Sequence, residues 1–509
     1  MKKLYITVAL AAACQATAAQ DAGNTPASLE WRRQNSLWEQ SGNPAGLKLD
    51  APIRYSHVNA GYESYNGDFR RPQEGASGNR QFVQTEGALY ADSFYLSGKF
   101  SYTRDAVKDA KFNASIIDPF RGMPFIVADL NASDWSIQRY DLQFNATTRA
   151  YGRWSFGLGA QYQASSGAKQ RDIRTENYFY SIRVTPGVVY ALSDRQHIGF
   201  NLDYSNTKEE GSMSNVNVYV DQTYYELYGL GTAVSLLGGG RTNNYEGDAW
   251  GGSLQYAYRG YIGVFVNAGY KIEAEDLHVS FTIPRDGATI LRKSWNAGVT
   301  LTNETPGLLH TLALQYRQRD MDGIQYTTER IPTAGWKSLA KYVRSTFASK
   351  QATAMYRIGA KRGREYKWMA DISGAYTKLD DVYLLPYSFK KTENLNGEIG
   401  GKMNFVLPGN KDARLLVGLS IGYNRNFSAA YEYNGAHPDY PTVTELETND
   451  YRYMASDYVK AELPVTWSTR LKESGKQTLF LKAYGRYVKT GSYDFNDRYT
   501  IGGSVGVNF

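Results

Sequence analysis

The feature that most limits what this chain can fold into is a two-residue alternation that recurs from Ile53 to the last residue. Tyr140, Leu142, Phe144 and Ala146 alternate with Arg139, Asp141, Gln143 and Asn145. Trp154, Phe156, Leu158, Ala160 and Tyr162 alternate with Ser155, Gly157, Gly159, Gln161 and Gln163. The pattern returns at Ile198–Tyr204, Ile262–Tyr270, Leu312–Tyr316, Leu415–Tyr423 and Leu479–Ala483. It ends with Tyr499, Ile501, Gly503, Val505, Val507 and Phe509 against Thr500, Gly502, Ser504, Gly506 and Asn508. Successive side chains of a strand point to opposite faces, so each stretch is a strand with one apolar and one polar face. The fold class is all-β.

Periodicity does not say which face is inside. A soluble array of β-sandwiches would bury the apolar rows, and a membrane barrel would turn them outward to lipid. Three observations favour the barrel. The apolar rows commonly end in Tyr or begin with Trp, and the chain carries 42 Tyr, as interfacial girdles require. The opposite rows hold Arg, Asp, Lys, Gln and Gly, which suit a wet lumen. Its 49 glycines fit strands that curve and pack closely. No stretch reaches the roughly 18 continuous apolar residues of a membrane helix. The terminal strand, with Tyr499, Ile501, Val505, Val507 and Phe509, resembles the sorting signal of bacterial outer-membrane barrels, which the barrel-assembly machinery reads. The expectation is a transmembrane antiparallel β-barrel in outer-membrane lipid.

The connections set its size. Short ones fall at Ala91–Ser93, Ala150–Arg153, Ser193–Gln196, Tyr258–Tyr261, Asn303–Leu308, Lys361–Glu365, Pro408–Asp412 and Leu471–Lys476. Long ones fall near 66–79, 106–131, 211–243, 276–289, 323–344, 380–390 and 427–447. Alternating short turns and long outer loops give about 18 strands, within a range of 14 to 18, and place both termini in the periplasm. Three outer loops are apolar or aromatic: Ile116–Val127, Val216–Leu237 with Gly238-Gly239-Gly240 after it, and Tyr431–Tyr440. The first is expected to fold back on the barrel mouth or to meet a partner, and the second to form a folded cap or an extended hairpin; self-packing is the alternative for all three.

Residues 1–19 read as a signal peptide: Lys2 and Lys3, the apolar run Leu4–Ala13, and small residues to Ala19. The one cysteine, Cys14, lies inside it, and lipidation there is the alternative to ordinary cleavage. Residues 20–50 lack alternation, and 51–509 form the barrel. Within 20–50, Ser28 is expected to cap a short helix carrying Leu29, Trp31, Leu37 and Trp38. The segment Asn43-Pro44-Ala45-Gly46, just before the first strand, resembles the N-terminal region of long-chain fatty-acid transporters and of similar Bacteroidota barrels. That resemblance implies a segment folded into the lumen as a plug; the alternative is a plain turn with its helix in the periplasm. The resemblance also implies 14 strands, from which the count of 18 departs.

Catalytic chemistry finds no support. His57, His197, His278, His310 and His437 are scattered without metal-ligand spacing, and no phosphate-binding glycine loop precedes a helix. No enzyme, cofactor or metal is expected. The formal charge of +7 falls to +5 without Lys2 and Lys3 and is spread evenly, so nucleic acid is not a partner. Lumen candidates are Arg139, Asp141, Asp203, Lys271, Arg317, Arg319, Asp371, Lys482 and Arg486. Gate or hatch candidates are Trp31, Trp38, Asn43, Pro44, Phe120 and Phe125. The reading is an outer-membrane channel or transporter for small, amphiphilic solutes. The alternative is an interaction platform whose loops bind a surface lipoprotein or a secreted protein.

Overall fold

The computed structural model describes residues 24–217, 219–220, 222–238, 242–280, 283–333, 335–471 and 477–509. The signal-peptide residues 1–19, with Cys14, and the glycines Gly239 and Gly240 lie outside the described residues.

The described chain begins with two short helices, α1 (Pro26–Asn35) and α2 (Leu37–Ser41), and a 3₁₀ turn at Pro44–Leu49. The cap of α1 is Thr25, whose hydroxyl accepts from the Ser28 amide at 3.2 Å. The helix thus starts earlier than a Ser28 cap would allow, because Pro26 fits the first turn, where no amide hydrogen is needed.

From Tyr55 the chain is mostly strand: β1 (Tyr55–Gly67), β2 (Ser77–Ala91), β3 (Phe94–Ala110), β4 (Phe125–Asp129), β5 (Ser133–Thr147), β6 (Trp154–Lys169) and β7 (Arg174–Ser193). Next come β8 (Gln196–Ser214), β9 (Thr223–Tyr228), β10 (Ala233–Leu237), β11 (Thr242–Tyr258), β12 (Ile262–Ser280), β13 (Arg285–Thr305) and β14 (Leu308–Ile331). The remainder are β15 (Gly335–Arg362), β16 (Glu365–Leu384), β17 (Tyr387–Val406), β18 (Arg414–Glu432), β19 (Tyr458–Arg470), β20 (Thr478–Thr490) and β21 (Asp497–Asn508). A last short helix, α3 (Thr448–Met454), lies between β18 and β19.

All but β4, β9 and β10 belong to one 18-stranded antiparallel sheet. It closes where β21 returns to β1, from His57 opposite Asn508 to Gly67 opposite Arg498. Closure leaves no open edge, which lipid would not tolerate. Leu142, Phe144, Leu158, Leu202, Leu254 and Ile421 are exposed on the outside, while Asn201, Gln255, Glu275 and Arg292 are buried within. The barrel is inside-out relative to a soluble sandwich, and this decides what periodicity leaves open.

Aromatic rings mark both rims of the apolar band. Tyr204 packs on Trp250 at 4.6 Å and Tyr270 on Trp295 at 4.3 Å towards the long-loop side. Trp154 packs on Tyr190 at 4.6 Å beside a short turn. Such rings anchor a barrel at the two interfaces.

Seven of the eight short connections fall between paired strands where the alternation places them; the eighth, Leu471–Lys476, lies outside the described residues from position 472 on. Two outer connections escape that reading, at 170–173 and 491–496, because both are short. The stretch 323–344 is not a loop. It is the shared extension of β14 and β15, which are 24 and 28 residues long. A bilayer needs only about 9–11 strand residues, so this hairpin continues beyond it. Both of its faces carry polar and aromatic residues, so no apolar row announces the strands. Likewise, residues 380–390 are strand on either side of a tight turn between Leu384 and Tyr387.

Candidate functional site

The N-terminal segment lies across the short-turn mouth of the barrel without joining the sheet. It is seated on glycines. A Cβ on Gly157 of β6 would stand 2.3 Å from the Ala45 amide nitrogen, one on Gly187 of β7 2.2 Å from Asn43 Oδ1, and one on Gly199 of β8 2.6 Å from the Trp38 ring. Across the mouth, a Cβ on Gly359 of β15 would stand 2.5 Å from the Trp31 ring. Only hydrogen at these four positions admits the segment.

Polar ties complete the seat. Asn43 is fully buried; its Nδ2 donates to Gln255 Oε1 at 2.8 Å, and its Oδ1 accepts from the Ala45 amide at 3.0 Å. The Thr147 hydroxyl donates to Pro44 O at 2.6 Å. Trp38 is buried and meets Phe265 edge-on at 5.3 Å. At the start of α1, Glu30 accepts from the Tyr366 hydroxyl at 2.9 Å and from Lys402. Glu365 accepts from Thr25 at 2.6 Å, Arg414 at 3.0 Å and Arg362 at 3.2 Å. Asp50 closes the segment, its carboxylate taking the amides of Trp38 at 3.2 Å and Glu39 at 2.8 Å. Burial pushes its pKa up to about 7, with those two amides pulling the other way.

On the lumen side of α1 and α2 lies a cavity of about 1280 Å³, walled by β1–β3, β5, β13–β21 and the helices. Of the lumen candidates, Arg139, Lys482 and Arg486 line it. The others sit elsewhere on the inward rows. Asp141 accepts from Gln161 and Gln163 at 2.7 and 2.6 Å. Asp203 accepts from Thr185 at 2.7 Å and Asn201 at 2.9 Å. Lys271 pairs with Glu273 at 3.1 Å. Arg317 and Arg319 lie on the row of β14 that runs from Gln315 to the buried Met321, and Asp371 faces Arg357 across the β15–β16 ladder.

The long-loop mouth is filled by a second segment. The chain from Lys111 to Ser133 dips inward, and β4 pairs with β9 and β9 with β10 in a small separate sheet. Met123 and Phe125 pack on Tyr245, Leu277, Ile290 and Met321 of the barrel wall. Tyr245 donates its hydroxyl to Phe125 O at 3.1 Å. Phe120 lies beneath the Arg71 guanidinium, 3.6 Å from ring centre to carbon.

Three charged clamps hold this segment. Glu209 accepts from the Ser115 hydroxyl at 2.6 Å and the Ile116 amide at 2.8 Å. Arg121 pairs with Glu275 at 3.0 Å. Asp129 of β4 pairs with Lys169, both fully buried. Nearby, Asp450 of α3 takes Arg71 at 2.6 Å and Lys390 at 2.7 Å. Burial would raise the Asp450 carboxyl, but those two cations outweigh it and hold it well below the usual carboxylate range. None of these clamps is visible in sequence, since partners lie tens to hundreds of residues apart and no spacing marks them.

The terminal row Tyr499, Ile501 and Val505 is exposed on the outer face. Phe509 is bound through its backbone, its amide donating to Ser56 O at 2.8 Å. Among the described residues no group of three or more His, Cys, Asp or Glu stands where it could hold a metal ion.

A family model described as "Family of unknown function (DUF6850)" matches residues 44–509. No curated protein matches the chain. Among solved structures, the chain is similar to the ferric preacinetobactin receptor BauA of Acinetobacter baumannii, at 8% identity over 89% of this chain and 80% of that one, with a TM-score of 0.41. It is similar to the copper transporter OprC at 10% identity, 89% and 80% coverage and a TM-score of 0.41. The RagAB peptide transporter follows at 7%, 89%, 86% and 0.41. At such identities no cargo transfers from those proteins to this chain.

Proposed function

The chain belongs to the DUF6850 family of unknown function, and we propose that it is a gated outer-membrane channel or transporter for small amphiphilic solutes. The carrying observation is the N-terminal segment on its glycine seat. It makes no strand pair with the barrel, so it can leave without breaking a single ladder hydrogen bond. Its contacts are side-chain clusters and about a dozen polar ties, which are individually worth about 1 kcal/mol. The even strand number and the short turns on the segment's side support a periplasmic location for both termini.

The test is single-channel conductance of the intact barrel and of the barrel lacking residues 20–48. Conductance that appears or steps up on deletion supports a hatch. Silence from both forms, and from the deletion combined with Asp129→Asn, which loosens the segment at the other mouth, overturns the channel.

One observation favours a second reading, an interaction platform. On the connection after β8 and in β10, Tyr219 is 93% exposed and Leu237 69% exposed, beyond what a loop tip needs. A surface lipoprotein or secreted protein would cover them. Co-purification lost on replacing Tyr219 and Leu237 with Ser would favour the platform; a barrel that conducts and purifies alone would exclude it.

A further inference from the structure

We propose that the cavity above the N-terminal segment binds an organic anion, an oxyanion head on an apolar or aromatic body, favoured by Arg357 of β15 and Lys482 of β20, two cations of its wall that no carboxylate matches among the described residues. The proposal deepens the channel reading and rests on it for the idea that the cavity is filled by cargo.

Its warrant is the charge pairing of the walls. Arg80 and Arg139 share Asp105. Lys402 is held by Glu30, Arg486 by Glu462 at 3.0 Å, and Arg33 by Glu86 at 3.0 Å. Each of these cations is matched to a carboxylate. Arg357 and Lys482 line the same cavity with no carboxylate within ion-pair distance among the described residues.

The details make the vacancy specific. Arg357 Nε is buried without a hydrogen-bond partner, and its Nη2 meets only Met355 Sδ at 3.5 Å. Its cross-strand neighbour Asp371 leans away, with Oδ2 3.2 Å from where a Cβ of Gly400 would stand. The Lys482 ammonium lies 5.5 Å from the Tyr484 ring centre, while Glu63 takes the hydroxyl of that tyrosine at 2.6 Å and faces Arg80 at 3.9 Å.

A guanidinium without an anionic partner is costly beside an apolar wall, and an oxyanion in the cavity supplies the charge-assisted acceptor that its exposed N–H groups lack. Two unmatched cations in a confined space draw anions and repel cations. The same cavity is lined by Leu29, Phe82, Met355, Leu416, Pro464 and Phe480, an apolar bed for the rest of the molecule. Its volume of about 1280 Å³ exceeds the roughly 300–1,000 Å³ of ordinary small-molecule sites.

The experiment uses the full barrel in detergent and two probes of one shape, 3-phenylpropanoate and 3-phenylpropan-1-amine, followed to equilibrium by calorimetry. The carboxylate is expected to bind at least about tenfold more tightly than the amine, and Arg357→Gln and Lys482→Gln each to weaken it by about tenfold or more. Arg357→Lys, which keeps the charge but not the fork, should lie between the parent and Arg357→Gln. Equal binding of the two probes, no binding of either, or an Arg357→Gln, Lys482→Gln double variant that binds like the parent overturns the proposal. Reversal potentials across a bilayer under a salt gradient separate the two readings. A barrel that conducts but prefers potassium to chloride refutes the anion site and leaves the channel intact. A barrel that binds the carboxylate selectively yet never conducts, even with residues 20–48 deleted and Asp129→Asn added, upholds the anion site and refutes the channel.

Discussion

Gly157 and Gly187 face each other across the β6–β7 ladder, and Gly199 follows on the next strand. All three stand where the Trp38–Ala45 stretch touches the wall. Gly187→Ala should therefore unseat the segment while leaving the sheet whole, because the new methyl would meet Asn43 Oδ1. Overpacking of this kind costs about 1–3 kcal/mol, enough to raise the unseated fraction roughly 5- to 150-fold. The measure is protease cleavage within 24–49, with Gly397→Ala as the control, since nothing stands within 4 Å of a Cβ there. A Gly187→Ala barrel cleaved at the rate of its parent would remove the seat from the argument. Asp50 offers a second handle at this scale. Its docked pKa of about 7 lies above the ordinary value of about 4, so the docked segment binds the proton more tightly than the released one. Docking is then strongest below about pH 4 and weakens as pH rises from about 4 to about 7, with no further change above. Protease cleavage within 24–49 should rise over that window, and Asp50→Asn should flatten the rise. A cleavage rate that falls with pH in a protease-corrected assay would reverse the sign and refute the coupling.

At the level of elements, the outer plug is anchored by charge inside an apolar packing. Lys169 and Asp129 are both fully buried, and removing one partner of such a pair leaves an uncompensated charge, at a cost of about 3–5 kcal/mol. Asp129→Asn should therefore loosen β4, β9 and β10 while the barrel strands stay protected. Hydrogen exchange reads this directly: faster exchange in 125–129 and 223–237, unchanged exchange in β12–β18. Uniform protection throughout would mean that the apolar cluster of Met123 and Phe125 holds the plug alone. The contrast with the barrel explains what was legible in the sequence. Strands announce themselves because lipid forces an apolar residue at every second position, as at Leu415–Tyr423, and turns are the gaps between such rows. The plugs obey no such rule. Ile116–Val127 is legible as too apolar for water, but its seat on Tyr245, Leu277 and Met321 is made by residues more than 100 positions away. The glycine seat is hidden for the same reason, since Gly157, Gly187 and Gly199 look like any other barrel glycines. Where neither lipid nor a plug imposes a pattern, as in the outer half of the β14–β15 hairpin, even the strands go unannounced.

As a whole molecule the barrel holds one segment at each mouth of one cavity, and on the proposed reading the two are barriers in series. Eighteen strands enclose a lumen too wide for side chains alone to fill, and here the N-terminal segment occupies one mouth and the 111–133 plug the other. Barriers in series make each one sufficient for closure, so neither release alone need connect the two sides, but each release should expose the cavity to its own side. A cysteine reports this once the one cysteine of the sequence, Cys14, is replaced by Ser. Thr466 of β19 lines the cavity, and Thr466→Cys adds a thiol there. A membrane-impermeant maleimide should label it slowly in the otherwise intact barrel from either side. Deleting residues 20–48 should speed labelling from the short-turn side by about tenfold or more and leave the other side slow. Adding Asp129→Asn to the intact segment should give the opposite asymmetry, and combining the two changes should open both routes and carry current. Labelling that is fast from both sides in the parent would mean that neither segment is a barrier, and gating would then have to reside in the wall itself.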